Sequence, residues 1–156
     1  MTSLLRLAVA CLAAISLVAG AGCGSDTKSS NDYVKAINKV QTEFASDIQK
    51  VGTSAPSGTD PAAKAKQTFS DLGAAIDKAV TDLKAVDPPD KVKDLHSQLI
   101  AEMTQFGSQV NTASDSLKSG DPQAIVAAQS KFAASASAVG QQISKTIGDI
   151  NKQLQS

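Results

Sequence analysis

The 156-residue chain has very few of the residue types that build most catalytic and metal sites. It has one histidine, His96, and its only glutamates are Glu43 and Glu102. A di-iron site in a helical bundle takes four glutamates and two histidines, and a zinc site needs several cysteine or histidine ligands. The two cysteines and single histidine cannot supply either set, so we expect no bound metal and no cofactor.

His96 is the residue on which an enzyme hypothesis would depend. It follows Leu95 and lies near Asp94, but a Ser–His–Asp triad also needs a nucleophile held against the imidazole, and no G-x-S-x-G turn is present. We do not expect a haem held by His96 and Met103, because both would lie on one helix, two turns apart, and cannot bracket a flat ring. We therefore expect no catalytic residue and interpret His96 as a polar residue on the flank of a helix.

The chain is also almost without arginine, since Arg6 is the only one. The basic residues number fifteen, as do the acidic ones, and the remaining basic residues are lysines. Lysine lacks the planar, bidentate fork with which arginine recognises phosphates and base edges. The sequence has no dense basic patch either, so we expect no nucleic-acid partner.

The first 22 residues are typical of a bacterial export signal. Arg6 precedes an apolar run over residues 7–18, which is short for a membrane-spanning helix, and the small residues 19–22 follow. Cys23 comes next, ahead of a small, polar stretch over residues 24–30. This order predicts a lipoprotein signal peptide over 1–22, a lipid on Cys23, and a short tether over 23–30.

A second cleavage site keeps an alternative open. Ala19-Gly20-Ala21 is a small-x-small site, and a cut after Ala21 would release a secreted protein with a free Cys23. Gly20 also stands where a lipobox has a Leu-like residue. Cys11 leaves with the signal in either case, so one cysteine remains, no intramolecular disulfide forms, and packing alone must hold the fold.

Helical periodicity dominates the chain after Ser30, and no useful stretch alternates with period two. Asp60-Pro61, Asp87-Pro88 and Asp121-Pro122 each place a capping carboxylate before a proline, which is a helix-start signal. The sequence therefore predicts an all-α, antiparallel up-down-up-down four-helix bundle over 31–156. We expect its helices near 31–51, 61–86, 88–118 and 122–154.

Each predicted helix carries one phenylalanine, and the last helix is rich in alanine and serine. With adjoining helix ends level, the rings of Phe44, Phe69, Phe106 and Phe132 are expected to form one layer of the core. The small residues and the aromatic layer also allow a different interpretation, a bundle that binds a small apolar or amphipathic ligand inside.

Three stretches resemble small, mostly uncharacterised lipoproteins of actinobacteria. They are residues 22–26 (GCGSD), 88–96 (PPDKVKDLH) and 120–124 (GDPQA). The resemblance implies a helical domain on the outer face of the plasma membrane, and it implies no activity.

The sequence favours a membrane-anchored, non-enzymatic helical bundle of the cell envelope. The lipid on Cys23 would hold it on the outer face of the cell membrane, where it would act through contacts with an unknown envelope protein. The alternatives are the ligand-binding bundle, the secreted protein cut after Ala21, and an enzyme with polar groups converging on His96.

Overall fold

The computed structural model describes residues 25–53, 60–117 and 122–156, and these residues form four α-helices and no strand. The all-α bundle predicted from the sequence is confirmed. A single 3-10 turn, Asp90–Val92, precedes the third helix. The helices are α1 Ser25–Lys50, α2 Pro61–Lys84, α3 Lys93–Ser116 and α4 Pro122–Gln155.

Helices α1 and α2 pack side by side and run in opposite directions. The backbone N–H of Gly52 donates to Asp71 at 3.2 Å, and Lys78 donates to Glu43 at 2.7 Å. Residue numbers therefore fall on α1 as they rise on α2. Gly52 ends α1 with a φ of 75°, a left-handed conformation that glycine adopts without strain.

The contacts of α3 with its two neighbours are antiparallel as well. His96, in the first turn of α3, bonds to the carbonyl of Leu83 in the last turn of α2. Gln98 of α3 contacts Thr146 of α4, whereas Phe106, two turns further on, stacks on Phe132.

These contacts define the N-terminal end of the bundle, where the start of α1, the α2–α3 connection and the end of α4 meet. Tyr33 of α1 contacts His96 at the start of α3. Lys91 of the connection donates to the backbone carbonyl of Leu154 near the end of α4 at 3.2 Å. Residues far apart in sequence are therefore brought together at this end.

Helix α1 begins at Ser25, six residues before the start expected from the sequence. The stretch assigned to a tether is thus helical from Ser25, and Ser30 is buried within it. Gly24 is the last residue before Tyr33 that strongly opposes a helix. The burial of Tyr33 then stabilises α1 where it extends across this end of the bundle. The signal peptide over 1–22 and Cys23 lie outside the described residues.

The three Asp–Pro pairs do not behave alike. Asp60 caps α2, because its Oδ1 accepts a hydrogen bond from the backbone N–H of Ala63 at 3.2 Å, and the helix starts at Pro61. The start expected at Pro88 is wrong, since α3 begins at Lys93. A second proline, Pro89, follows Pro88, and a residue before proline is driven out of the α-helical region.

Helix α4 does begin at Pro122, as expected, and Asp121 lies outside the described residues.

Three of the four phenylalanines share one region of the core. The ring of Phe132 meets the ring of Phe69 edge-on at 5.1 Å and stacks on that of Phe106 at 6.0 Å, measured between centroids. These rings fill the bundle between α2, α3 and α4.

Phe44 is buried elsewhere, so the expected layer of four is wrong. It follows Glu43, which is level with Lys78 on α2. Nine residues separate Lys78 from Phe69, which places Phe44 roughly 13 Å from that level along the axis. The expectation assumed level helix ends, whereas the end of α1 meets α2 at Asp71, ten residues beyond the start of α2.

Gly148 in α4 offers a direct test of helix packing. A methyl group built there meets nothing within 4 Å. Since alanine is the better helix former, Gly148→Ala should raise the free energy of unfolding by about 1 kcal/mol. The matched control is Gly107→Ala, whose methyl would lie 3.3 Å from Ile76 and should recover less of that gain. Urea denaturation of both variants measures the difference, and a destabilised Gly148→Ala protein would contradict the packing described.

Candidate functional site

The predicted lipid-attachment residue, Cys23, lies outside the described residues. The structure does place the first described residue of the fold, Ser25, two positions after it. Two extended residues span at most about 7 Å. A lipid on Cys23 would therefore act on the N-terminal end of the bundle through a very short connection.

His96 lies inside this end of the bundle, with 3% of its surface exposed. Its Nε2 lies 3.0 Å from the carbonyl oxygen of Leu83, which can only accept, so Nε2 carries the proton. Its Nδ1 is then free to accept from the hydroxyl of Tyr33 at 3.1 Å. The expected position on the flank of the helix is wrong, because the imidazole joins α1, α2 and α3 from within the core.

The spacing of the buried positions in α3 and in the turn before it explains that error. Val92, His96, Leu99, Met103 and Phe106 are all buried, in alternating steps of four and three. Choosing residues by hydrophobicity alone puts Leu95 in this stripe and leaves His96 beside it. The heptad-like spacing is the signal by which His96 could have been assigned to the core.

Burial sets the protonation states of the Tyr33–His96 pair. It lowers the pKa of His96, because the charged imidazolium loses its hydration there, and the hydrogen bond to Leu83 opposes this only in part. It raises the pKa of Tyr33 for the same reason. Both side chains are therefore neutral near pH 7. They act as a hydrogen-bonded interhelical contact, with both ring nitrogens engaged.

A second buried polar cluster joins α3 to α4. Glu102 Oε1 accepts from the amide of Gln98 and from the hydroxyl of Thr146, each at 2.9 Å. Both Glu102 and Thr146 are buried, and no described residue is hydrogen-bonded to Glu102 Oε2. The sequence does not predict this cluster, because nothing in the sequence around Glu102 distinguishes it from a surface residue.

A groove of about 540 Å³ lies on the surface between α1 and the end of α2. It starts at the N-terminal end of the bundle, beside Ser29 and Asp87. Its apolar lining comes from Tyr33, Ala36, Val40, Ala85 and Val86, and its charged lining from Asp32, Lys39, Glu43, Asp82 and Asp87.

An ion-pair network lies at the end of the groove farther from Ser25. Lys78 donates to Asp82 at 2.6 Å and to Glu43 at 2.7 Å, which links α1 to α2. The two carboxylates raise the pKa of the Lys78 ammonium. This lysine therefore remains charged across the physiological range and neutralises that end of the groove.

Within the part of the chain that the structure describes, no group of three or more His, Cys, Asp or Glu side chains is placed to hold a metal ion. In the same residues, no helix is both long enough and apolar enough to cross a membrane.

The helices and their buried polar contacts define an all-α bundle with a charged surface groove at its N-terminal end. The chain belongs to DUF6376, a family of unknown function whose model matches residues 27–155. No curated protein and no solved structure matches it. The matched region contains all of α2, α3 and α4 and most of α1.

Proposed function

We propose that this protein is a lipid-anchored envelope lipoprotein whose helical bundle acts through protein contacts at the outer face of the cell membrane. The observation that carries the proposal is the start of α1 at Ser25, two residues after the predicted lipid-attachment residue Cys23. A lipid there would be joined almost directly to a helix of the bundle. The N-terminal end, with its groove, would then lie against the lipid headgroups.

The environment of His96 favours a non-enzymatic role. An imidazole that acts as a general base must present one nitrogen to a substrate or nucleophile within hydrogen-bonding distance. In this protein one nitrogen binds the carbonyl of Leu83 and the other binds the hydroxyl of Tyr33, beneath the surface. These contacts support a structural role for His96, as a hydrogen-bonded link between helices.

The ligand-binding alternative receives less support from the core. It depended on an aromatic layer and small residues enclosing an interior site. The rings of Phe69, Phe106 and Phe132 instead contact one another, and Phe44 lies elsewhere. The groove lies on the surface and has charged residues in its lining, so it is not the enclosed apolar site that this alternative requires.

Replacing Cys23 tests the anchor in cells that make the full chain. We expect the wild type in the membrane fraction, released by detergent but not by high salt, because two or more acyl chains anchor stably. The Cys23→Ala variant should lose most of its membrane-bound fraction and appear in soluble material. Quantitative immunoblots of the fractions measure this.

Cys11→Ala is the matched control, since Cys11 lies in the predicted leader and should leave the distribution unchanged. Equal membrane fractions for wild type and for Cys23→Ala chains that have lost the leader would contradict the anchor. Wild-type protein found mainly in the culture medium would support the alternative cut after Ala21.

A further inference from the structure

In the N-terminal half of the groove, the described side chains include acidic groups that no described lysine neutralises. Four carboxylates line the groove, and Lys39 is the single basic residue among the lining side chains that the structure describes. Lys78 approaches Glu43 and Asp82 from outside and satisfies both. Asp32 and Asp87, at the N-terminal half, are outside the reach of that network.

The remaining contacts of these two aspartates are weak. Asp32 lies 3.8 Å from Lys35, and both side chains are mostly exposed, so solvent screens the pair. Asp87 forms no ion pair within 4 Å among the described residues with described side chains. A cation entering this half of the groove would therefore displace little.

We propose that the groove is a docking surface for a basic region of a partner protein, which places lysine or arginine side chains beside Asp32 and Asp87. The location of the partner, at the membrane surface, rests on the proposed function. Its basic character is inferred from the groove alone. Ala36, Val40 and Val86 provide apolar surface for the methylene stem of a basic side chain, while the carboxylates meet its charged head.

The length of the groove favours a polypeptide over a small amine. Its lining on α1 runs from Ser29 to Glu43, a rise of roughly 21 Å along the helix. A volume of about 540 Å³ spread over that length makes a long, narrow depression. A small amine would cover one end only, whereas a protein surface can insert several side chains in a row.

In-cell photo-crosslinking of the full chain tests the docking surface. A photoreactive residue replaces Ala36, inside the groove, and in a control chain it replaces Ser144, an exposed residue of α4 at a similar height along the bundle. We expect a protein adduct from Ala36 and not from Ser144. Mass spectrometry should map it to a lysine- or arginine-bearing segment of another protein.

Charge variants make the test specific. Asp32→Asn with Asp87→Asn should reduce the Ala36 adduct by roughly twofold to thirtyfold, because two solvent-exposed ion pairs with the partner are lost. Asp32→Glu with Asp87→Glu, which keeps both charges, should retain most of it. Both aspartates are exposed, and unchanged thermal melts will show that the fold is intact.

Three outcomes would overturn the docking surface: an adduct unaffected by the asparagine variants, an adduct with lipid or a small amine, or no adduct above the Ser144 control. The Cys23→Ala chain separates the two proposals. If the adduct persists in Cys23→Ala chains that no longer bind the membrane, the docking surface is supported independently of the anchor. If a correctly anchored wild type gives no adduct, the docking surface is rejected and the lipid anchor is not.

Discussion

Replacing Phe132 with alanine is expected to lower the free energy of unfolding by about 3–5 kcal/mol, which is a large part of the stability of a small domain. The Phe132 ring is buried and touches two others, meeting Phe69 edge-on and lying nearly parallel to Phe106. Truncation removes its buried apolar surface and leaves a cavity between three helices. Chemical denaturation followed by circular dichroism measures the loss.

Two controls separate this effect from a general sensitivity of α4. Val126→Ala changes an exposed residue of the same helix and should alter the free energy of unfolding by less than about 0.5 kcal/mol. A double-mutant cycle with Phe69→Ala should show a coupling of roughly 0.5–1.5 kcal/mol for the ring pair. A loss below about 1 kcal/mol for Phe132→Ala would mean that the three-ring cluster does not hold these helices together.

Removal of the His96 imidazole is the second large effect. His96→Ala leaves the buried hydroxyl of Tyr33 and the carbonyl of Leu83 without their partner, at a cost of roughly 2–4 kcal/mol in the free energy of unfolding. Tyr33→Phe removes only one of the two hydrogen bonds and should cost less. If His96→Ala is as stable as the wild type, the imidazole is not the contact that joins α1, α2 and α3.

The same residue makes stability depend on pH. Since burial lowers the pKa of His96 in the folded state, the unfolded chain binds this proton more readily. The His96 contribution is complete above the unfolded pKa of about 6.5 and is lost progressively as the pH falls below it. As the pH is lowered from 8 to 5, the urea midpoint should fall more steeply for the wild type than for His96→Gln, because glutamine does not titrate. Parallel curves would contradict a buried, neutral His96.

The fold class could be predicted from periodicity, whereas the local errors have specific causes. Asp60 acts as the cap that its Asp–Pro pair suggested, but Pro89 after Pro88 moves the start of α3 to Lys93. Phe44 lies outside the ring cluster because helix register depends on where α1 ends against α2, and sequence spacing contains no such information.

The candidate site could be predicted only in part. The lipid on Cys23 is predicted from the order of residues along the chain alone, and it stays a prediction. The groove depends on α1 lying over the segment from Ala85 to Asp87, distant in sequence. In the sequence, the aspartates of the groove cannot be distinguished from other solvent-facing aspartates, because only the packing of the helices brings them together.

Mass spectrometry of the mature protein, recovered from both the membrane fraction and the culture medium, shows whether Cys23 carries a lipid. If the protein is lipid-anchored, its mature chain begins at Cys23 and carries the added mass of a diacylglycerol group on that residue. A chain that begins at Gly22 with a free Cys23 thiol would contradict it and establish the secreted form.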